Sequence, residues 1–148
     1  MMYTQSRSGP ARRRRGGFSL IELLVVLVIL GLLAGLVGPR VMKYLGGAKT
    51  DSAKLQIEDL GAALDLYRLE VGSYPTTEQG LDSLVSEPEG VTGWNGPYLK
   101  KSFVPPDPWG NDYEYRFPGE HGEYDIVSYG ADGQPGGEGE SGDVVSWN

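Results

Sequence analysis

A long, predominantly apolar stretch near the N-terminus, residues 18–38, is the feature that most restricts how this chain can fold. As an α-helix its 21 residues would span about 32 Å, which matches the roughly 30 Å hydrocarbon core of a bilayer. The stretch contains one charged side chain, Glu22, and no basic residue that could pair with it. An ionised carboxylate inside a membrane costs about 2.5–3.5 kcal/mol, so a lone acid there indicates a function that requires a partner.

The residues before this stretch indicate an export signal with an unusual cleavage point. Four arginines, Arg12–Arg15, precede Gly16 and Gly17. An ordinary secretory signal is cleaved at small residues after its apolar region, whereas here the small residues come before it. Cleavage after Gly17 would create a new α-amine on Phe18, at the same helix end as Glu22. That amine is a cation the gene does not encode.

Length and charge favour one acidic domain outside the membrane. The chain has 148 residues, which leaves about 110 for a single compact domain with a modest core. Five of its 13 basic residues precede Phe18, so the cleaved chain would carry 8 basic against 20 acidic side chains, a net charge of −12. This charge argues against nucleic-acid binding. The absence of cysteine excludes disulfides, thiolate metal sites and a cysteine nucleophile.

Periodicity predicts that the apolar helix continues as an amphipathic one. Apolar residues recur at spacings of three and four, in the order Ile57, Leu60, Leu64, Tyr67 and Val71. Gly72, Ser73 and Pro75 predict the end of this helix. A short helical turn is then expected, capped around Thr76 or Thr77 and running toward Val85.

The C-terminal part predicts a small antiparallel sheet. Residues 112–117 and 123–129 alternate between aromatic or apolar and polar side chains, with the turn sequence PGEHG between them, so they predict a hairpin. The aromatic face, Tyr113, Tyr115 and Phe117, is expected to cover the helix stripe. Residues 144–147 could add a last strand. The predicted class is therefore α+β, with a long N-terminal helix on a small antiparallel sheet.

The acidic loop, residues 130–143, lies between the hairpin and the last strand and allows two interpretations. It contains six glycines, one proline and four acids but no basic residue. Such a composition fits a solvated, disordered loop. It also fits a calcium loop, because carboxylates and glycine-oriented carbonyls supply the six to eight oxygen ligands that calcium takes. The residues alone do not choose between the two.

An enzymatic function is not expected. Nucleophilic triads and zinc sites need histidine as base or ligand, and His121 is the only histidine in the chain. It falls in the predicted hairpin turn beside Gly119 and Gly122, where a solvated role is more plausible than catalysis.

Several motifs resemble one protein family. The segment RRGGFSLIELLVVLVILGLLAGLVGPRV is similar to the class III signal and N-terminal helix of type IV pilins and pseudopilins. Further motifs, YPTTEQGL, WNGPYL, DPWGNDYEYRFPGEHGEYDIVSYGADGQPGGEGE and the terminal SW, resemble the major pseudopilins of the type II secretion system. The resemblance implies a pilin-like fold and a leader, residues 1–17, that prepilin peptidase removes before methylating Phe18.

The resemblance also implies a place and a function. Residues 18–39 would be a transmembrane and polymerisation helix in the bacterial inner membrane, and residues 40–148 a periplasmic domain. The subunits would polymerise into a pseudopilus that drives folded proteins from the periplasm across the outer membrane. Implied partners are other copies of the chain, minor pseudopilins, prepilin peptidase and the inner-membrane assembly platform, with no nucleic acid.

Site residues follow from the resemblance one by one. Gly17 and Phe18 flank the cleavage, Glu22 acts in assembly, and Gly31 and Pro39 weaken the helix in the filament. Family members bind calcium in the acidic loop, which implies as ligands the side chains of Asp132 and Asp143 and the carbonyl of Tyr129. Glu140 is a further expected ligand, but Glu140, Ser141 and Gly142 stand where family members often have an aspartate, so the complete ligand set is open.

Two alternatives remain at this stage. The chain could be another type IV pilin or a minor pseudopilin, which differs in building the tip rather than the shaft of a filament. It could instead be a calcium-binding module held by an uncleaved signal anchor. Such a module would have no use for Glu22.

Overall fold

A computed structural model describes residues 16–148 of the chain. The arginine-rich part of the predicted leader, residues 1–15, lies outside these residues. The chain divides into two compact units between Pro39 and Arg40.

The first element is a single long helix, α1, which covers the 52 residues Leu20–Val71. It begins after Ser19, whose backbone carbonyl accepts the Leu23 N–H at 3.2 Å and whose Oγ accepts the Glu22 N–H at 3.2 Å. Ser19 is therefore the N-cap, a residue that sequence reasoning did not single out. The helix ends as predicted at Gly72, which has a φ of 97° and donates its N–H to the Arg68 carbonyl at 2.8 Å. Glycine tolerates this left-handed conformation.

One stripe of α1 is buried, as the spacing of apolar residues predicted. The stripe residues Ile57, Leu60, Leu64 and Tyr67 are each at most 4% exposed. Val71, the last residue of the stripe, is partly buried against the same core. Ala53 and Ala63 are also buried and extend the stripe.

The sheet has three short antiparallel strands: β1 (Glu114–Arg116), β2 (Asp125–Ser128) and β3 (Val144–Val145). They lie in the order β1-β2-β3. The hairpin prediction is confirmed, although its strands are shorter than expected. The last strand ends at Val145 because the Ser146 side chain replaces a backbone acceptor: Ile126 N–H donates to Ser146 Oγ at 3.0 Å.

Aromatic and apolar residues of the sheet and its connections complete the core around α1. Tyr113 and Tyr115 are at most 8% exposed and Phe117 is partly buried, so the predicted aromatic face does cover the helix. The remaining core residues are Tyr74, Leu81, Leu84, Ile126 and Val144. The fold is thus a long helix packed on a small antiparallel sheet, as predicted.

The turn after α1 differs from its prediction in the kind of helix it forms. Thr76 N–H donates to Gln79 Oε1 at 2.9 Å, and Gln79 N–H donates to Thr76 Oγ1 at 3.2 Å. This is the reciprocal pattern of a capping box, at one of the two predicted caps. The residues that follow form a 3₁₀ helix, Leu81–Leu84, rather than a longer helical turn. Gly80 interrupts the segment with a φ of 63°.

Candidate assembly and metal-binding sites

The first part of α1 presents an apolar surface that nothing in the described residues covers. Its large apolar side chains between Leu20 and Val37 are exposed, from 42% for Val26 to 88% for Leu20. Among the described residues, α1 is the one helix long and apolar enough to cross a membrane. A surface of this size is stable only against lipid or against other apolar helices.

Glu22 lies in the first turn of α1, where an acid is favoured by the helix dipole. Its backbone N–H binds Ser19 Oγ, but within residues 16–148 its carboxylate makes no hydrogen bond or ion pair. The sequence signal that could have identified Ser19 is the Ser-x-x-Glu pattern of Ser19 and Glu22, which is typical of a capping box. The local structure thus explains Ser19 but leaves the Glu22 carboxylate available to an external partner.

Gly17 and Phe18 lie in irregular backbone before α1. A methyl group placed on Gly17 would meet no described atom within 4 Å, and the φ of Gly17 is not in the left-handed region. The local fold therefore does not require glycine at this position.

Gly31 and Pro39 both lie inside α1, which is helical at both positions. Pro39 lacks an N–H donor, so one helical hydrogen bond is missing at this point. The loss of helix that the resemblance implies for an assembled filament stays a prediction.

The acidic loop is folded back on itself by two short 3₁₀ helices, Gly130–Asp132 and Gly139–Ser141. Gly130 has a φ of 64°, and a methyl group there would lie 2.5 Å from the Glu140 carbonyl oxygen and 2.9 Å from that of Gly142. The beginning and the end of the loop are therefore in direct contact, and only glycine fits between them.

The predicted side-chain ligands of calcium occupy different parts of this loop. Asp132 Oδ1 accepts the Gln134 N–H at 3.1 Å, and Asp143 accepts the Gly136 N–H through both carboxylate oxygens, at 3.0 and 2.9 Å. Glu140 lies against α1 instead: a methyl group placed on Gly46 would be only 2.7 Å from the Cδ atom of Glu140. Within the described residues, no three Asp, Glu or His side chains are arranged to hold a metal ion.

The donor chemistry of the loop nevertheless fits calcium. Asp132, Asp143 and the loop carbonyls supply only hard oxygen atoms, which is the ligand type that calcium takes. The hydroxyl of Tyr129 donates to Glu114 Oε2 at 2.6 Å, and this hydrogen bond, together with burial and the nearby Asp143 carboxylate, raises the pKa of Tyr129 to about 12. The Arg116 guanidinium, whose Nη2 lies 3.6 Å from Glu114 Oε1, acts on this pKa in the opposite direction.

A buried polar network anchors the start of the acidic loop, and sequence reasoning missed it. The Asp107 carboxylate, in a residue 3% exposed, accepts the N–H groups of Trp109 and Asn111 at 3.0 and 2.8 Å and the Ser128 hydroxyl at 2.5 Å. Asn111 Nδ2 then donates to the Gly130 carbonyl at 2.9 Å. The sequence DPWGN carries the signal, because an aspartate before Pro-x-Gly is typical of a turn whose side chain accepts backbone N–H groups.

His121 supports the C-terminus. Its Nδ1 lies 3.1 Å from Asp125 Oδ2, and its ring stacks on Trp147 with centroids 3.9 Å apart. Burial opposes ionisation of Asp125, but the Glu120 N–H, the His121 imidazole and the His121 N–H together lower its pKa. These contacts give the imidazole a structural role in the hairpin turn.

Two protein-family models match the chain, one after the other. Residues 12–38 match the prokaryotic N-terminal methylation motif. Residues 40–147 match the model of type II secretion system protein G. The second match covers most of the folded part.

Individual relatives agree with these matches. The chain is 48% identical over 141 residues to the type II secretion system core protein G of Pseudomonas aeruginosa, covering 93% of this chain and 98% of the relative. It is 45% identical over 139 residues to the protein of the same name from Vibrio cholerae, covering 92% and 94% of the two chains.

A solved structure is also similar. It is the crystal structure of the major pseudopilin from the type 2 secretion system of enterohaemorrhagic Escherichia coli. The TM-score is 0.61 at 35% identity, and the match covers 72% of this chain and 92% of the other.

Proposed function

This chain belongs to the protein G family of the type II secretion system, the major pseudopilins, and we propose that it polymerises at the bacterial inner membrane into the shaft of a pseudopilus. Assembly of that filament would drive folded proteins from the periplasm across the outer membrane. The observation that carries this proposal is the coexistence of an uncovered apolar helix with a single acid, Glu22, near its start.

Charge pairing between neighbouring chains explains why that acid is useful. After cleavage at Gly17, the α-amine of Phe18 would lie near the Glu22 of an adjacent subunit. The pair would offset in the apolar environment what either charge costs alone. Because only one stagger of two parallel helices brings the two groups together, Glu22 would also set the register of the filament.

The distribution of basic residues supports an N-terminus in the cytoplasm. Five arginines precede Phe18, whereas Arg40, Lys43 and Lys49 are the basic residues that follow within about ten positions of the apolar stretch. The side with more Lys and Arg near a membrane helix stays in the cytoplasm. Residues 40–148 would then lie in the periplasm, attached by one span.

The acidic loop would bind calcium through Asp132, Asp143 and the Tyr129 carbonyl. Bound calcium would supply a positive charge to a loop that has no basic residue. The role of the chain itself is to hold the two loop ends together: the Asp107 network anchors the Gly130 carbonyl at the start, and Gly130 packs against the carbonyls of Glu140 and Gly142 near the end. Glu140 is a weaker candidate ligand, because its side chain lies against Gly46.

The remaining proposals concern partners. Prepilin peptidase would cleave after Gly17, minor pseudopilins would share the filament, and an inner-membrane platform would assemble it. We propose a structural role without catalysis, in line with the structural pseudopilins to which the chain is related.

Replacement of Glu22 tests the proposed function. Glu22→Gln keeps the size of the side chain and removes its charge, so the variant should insert and be cleaved but fail to polymerise. Filaments are counted by electron microscopy and by crosslinking between subunits, with Glu89→Gln as a control at an exposed acid outside α1. Normal filaments from Glu22→Gln would refute the charge-pairing role.

A further inference from the structure

The start of the second compact unit carries a cluster of positive charge that the proposed function does not use. Arg40, Lys43 and Lys49, named here the basic collar, are exposed residues of α1. No acidic residue occurs between positions 40 and 50. Within the described residues none of the three side chains forms an ion pair. The collar therefore offers three positive charges to something outside the chain.

The rest of this unit has the opposite charge. From residue 50 onward the chain has five basic side chains, Lys54, Arg68, Lys100, Lys101 and Arg116, against 19 acidic ones. One of these five, Arg68, is paired with Glu123 at 2.8 Å, and Arg116 lies beside two glutamates. The three cations of the collar thus lie together at the end of the unit that follows the apolar stretch in sequence, where Glu140, packed against Gly46, is an acidic side chain placed among them.

Exposed apolar and aromatic side chains are interleaved with the collar. Tyr44 is 83% exposed and Met42 is 67% exposed, and neither belongs to the core. Tyrosine beside lysine and arginine is typical of the interface between lipid and water, where the ring lies at the level of the headgroups. Arg40 and Lys43 come two and five positions after Gly38, within about 8 Å along a helix, which matches the depth of a headgroup layer.

We propose that the basic collar, together with Tyr44, binds the anionic phospholipid headgroups of the membrane surface from which α1 emerges. This inference rests on the membrane anchoring of the proposed function. Lysine and arginine carry long side chains that can reach phosphate groups while their stems stay on apolar surface. An anionic membrane surface attracts the collar and repels the unit's many acidic side chains, so it would favour an orientation in which the collar faces the headgroups.

A single reporter cysteine can test the collar in the full chain, because the chain has no cysteine of its own. Ala48→Cys introduces a thiol at an exposed position of α1 between Lys43 and Lys49. The chain is reconstituted in vesicles of phosphatidylcholine alone, or of phosphatidylcholine with phosphatidylglycerol in a two-to-one ratio. The measured quantity is the rate at which a membrane-impermeant maleimide modifies the thiol.

Anionic vesicles should slow the modification several-fold, because each basic residue near such a surface contributes about 1 kcal/mol, or about fivefold in the equilibrium constant. High salt should remove the difference by screening. The triple variant Arg40→Gln, Lys43→Gln, Lys49→Gln should abolish it, whereas the control Lys100→Gln, Lys101→Gln should retain it. Circular dichroism checks that each variant keeps its helix content.

Two results would overturn the proposal. Equal rates in neutral and anionic vesicles would show that the collar does not bind lipid. Protection that follows the protein-to-lipid ratio, independent of phosphatidylglycerol, would show that a second copy of the chain covers it. Neither result affects the Glu22→Gln filament test, because the vesicles contain no secretion machinery.

Discussion

The two parts of α1 face different surroundings with the same backbone. Before Pro39 every large apolar side chain of α1 is exposed, whereas between Ala53 and Tyr67 one stripe is buried and the exposed residues are mostly polar, with Leu55 and Leu66 as the large apolar exceptions. In the second part the sheet and its connections supply the apolar partner within the chain. In the first part the partner must come from outside, as lipid or as neighbouring helices. One continuous helix can therefore pack one part against its own chain while another part depends on lipid or neighbouring helices for its apolar contacts.

The largest effect is expected from a substitution at Gly17, which precedes the apolar part of α1. Gly17→Val should leave the leader attached, because the larger side chain would fill the pocket of the peptidase that the proposed function assigns. The local structure has room for a methyl group at Gly17, so folding of residues 40–148 should not change. Mass spectrometry of the membrane-extracted protein would show a precursor longer by residues 1–17. Equal masses for the wild type and the variant would exclude cleavage after Gly17.

The comparison itself can be tested with a matched pair of leucines in α1. Leu64→Ala removes a side chain that is 0% exposed and should lower the free energy of unfolding by about 2–5 kcal/mol. Leu27→Ala removes a side chain that is 61% exposed and should leave the free energy of unfolding unchanged. Thermal unfolding of the detergent-solubilised full chain, followed by near-UV circular dichroism, compares the two. Equal losses would mean that the first part of α1 contributes to the folded core.

The sequence predicted the fold more completely than it predicted the site, for physical reasons. Apolar spacing is a local signal, so the buried stripe, the helix end at Gly72 and the hairpin were all predicted correctly. Strand ends are decided by individual contacts such as the Ser146 hydroxyl on Ile126 N–H, which no periodicity encodes. The predicted strands were therefore too long.

The candidate sites divide in the same way. A lone acid in an apolar stretch is visible in the sequence, so Glu22 is a candidate from the sequence alone, and its role in assembly stays a prediction. The position of Glu140 was not predictable, because it depends on Gly46, which is 94 positions earlier in the chain. Likewise, the Asp107 network joins residues from two separate segments, and only the DPWGN turn gave a local signal for it.

Calcium should act on the second unit alone and with an intermediate effect. At free calcium 100 times the Kd, binding to the native state adds about 2.7 kcal/mol. For a domain of about 100 residues this raises Tm by about 10–20 °C. Asp132→Ala and Asp143→Ala should each remove most of that shift, whereas Glu138→Ala, at an exposed residue of the same loop, should remove little.

The measurement is thermal unfolding of the full chain in calcium and in chelator. Sodium at equal ionic strength is the control, because it screens repulsion between carboxylates without supplying a directed ligand site. Coincident melting curves for the wild type would contradict calcium binding and leave the segment as an acidic loop.

The smallest effect is expected at Gly46, where the acidic loop meets the second part of α1. In a helix interior alanine is about 1 kcal/mol more favourable than glycine, but a methyl group at position 46 would overlap the Glu140 side chain. Because the Glu140 side chain is flexible and exposed, it can rotate away. Gly46→Ala should therefore change the free energy of unfolding by no more than about 1 kcal/mol, and upward if at all.

The same melting experiment, carried out on both Gly46→Ala and Glu140→Ala, separates two roles for Glu140. If Glu140 only rests on α1, both variants keep the calcium-dependent rise in Tm. If Glu140→Ala loses the calcium-dependent rise in Tm and Gly46→Ala keeps it, Glu140 is a calcium ligand. Its side chain would then move away from Gly46 when calcium binds.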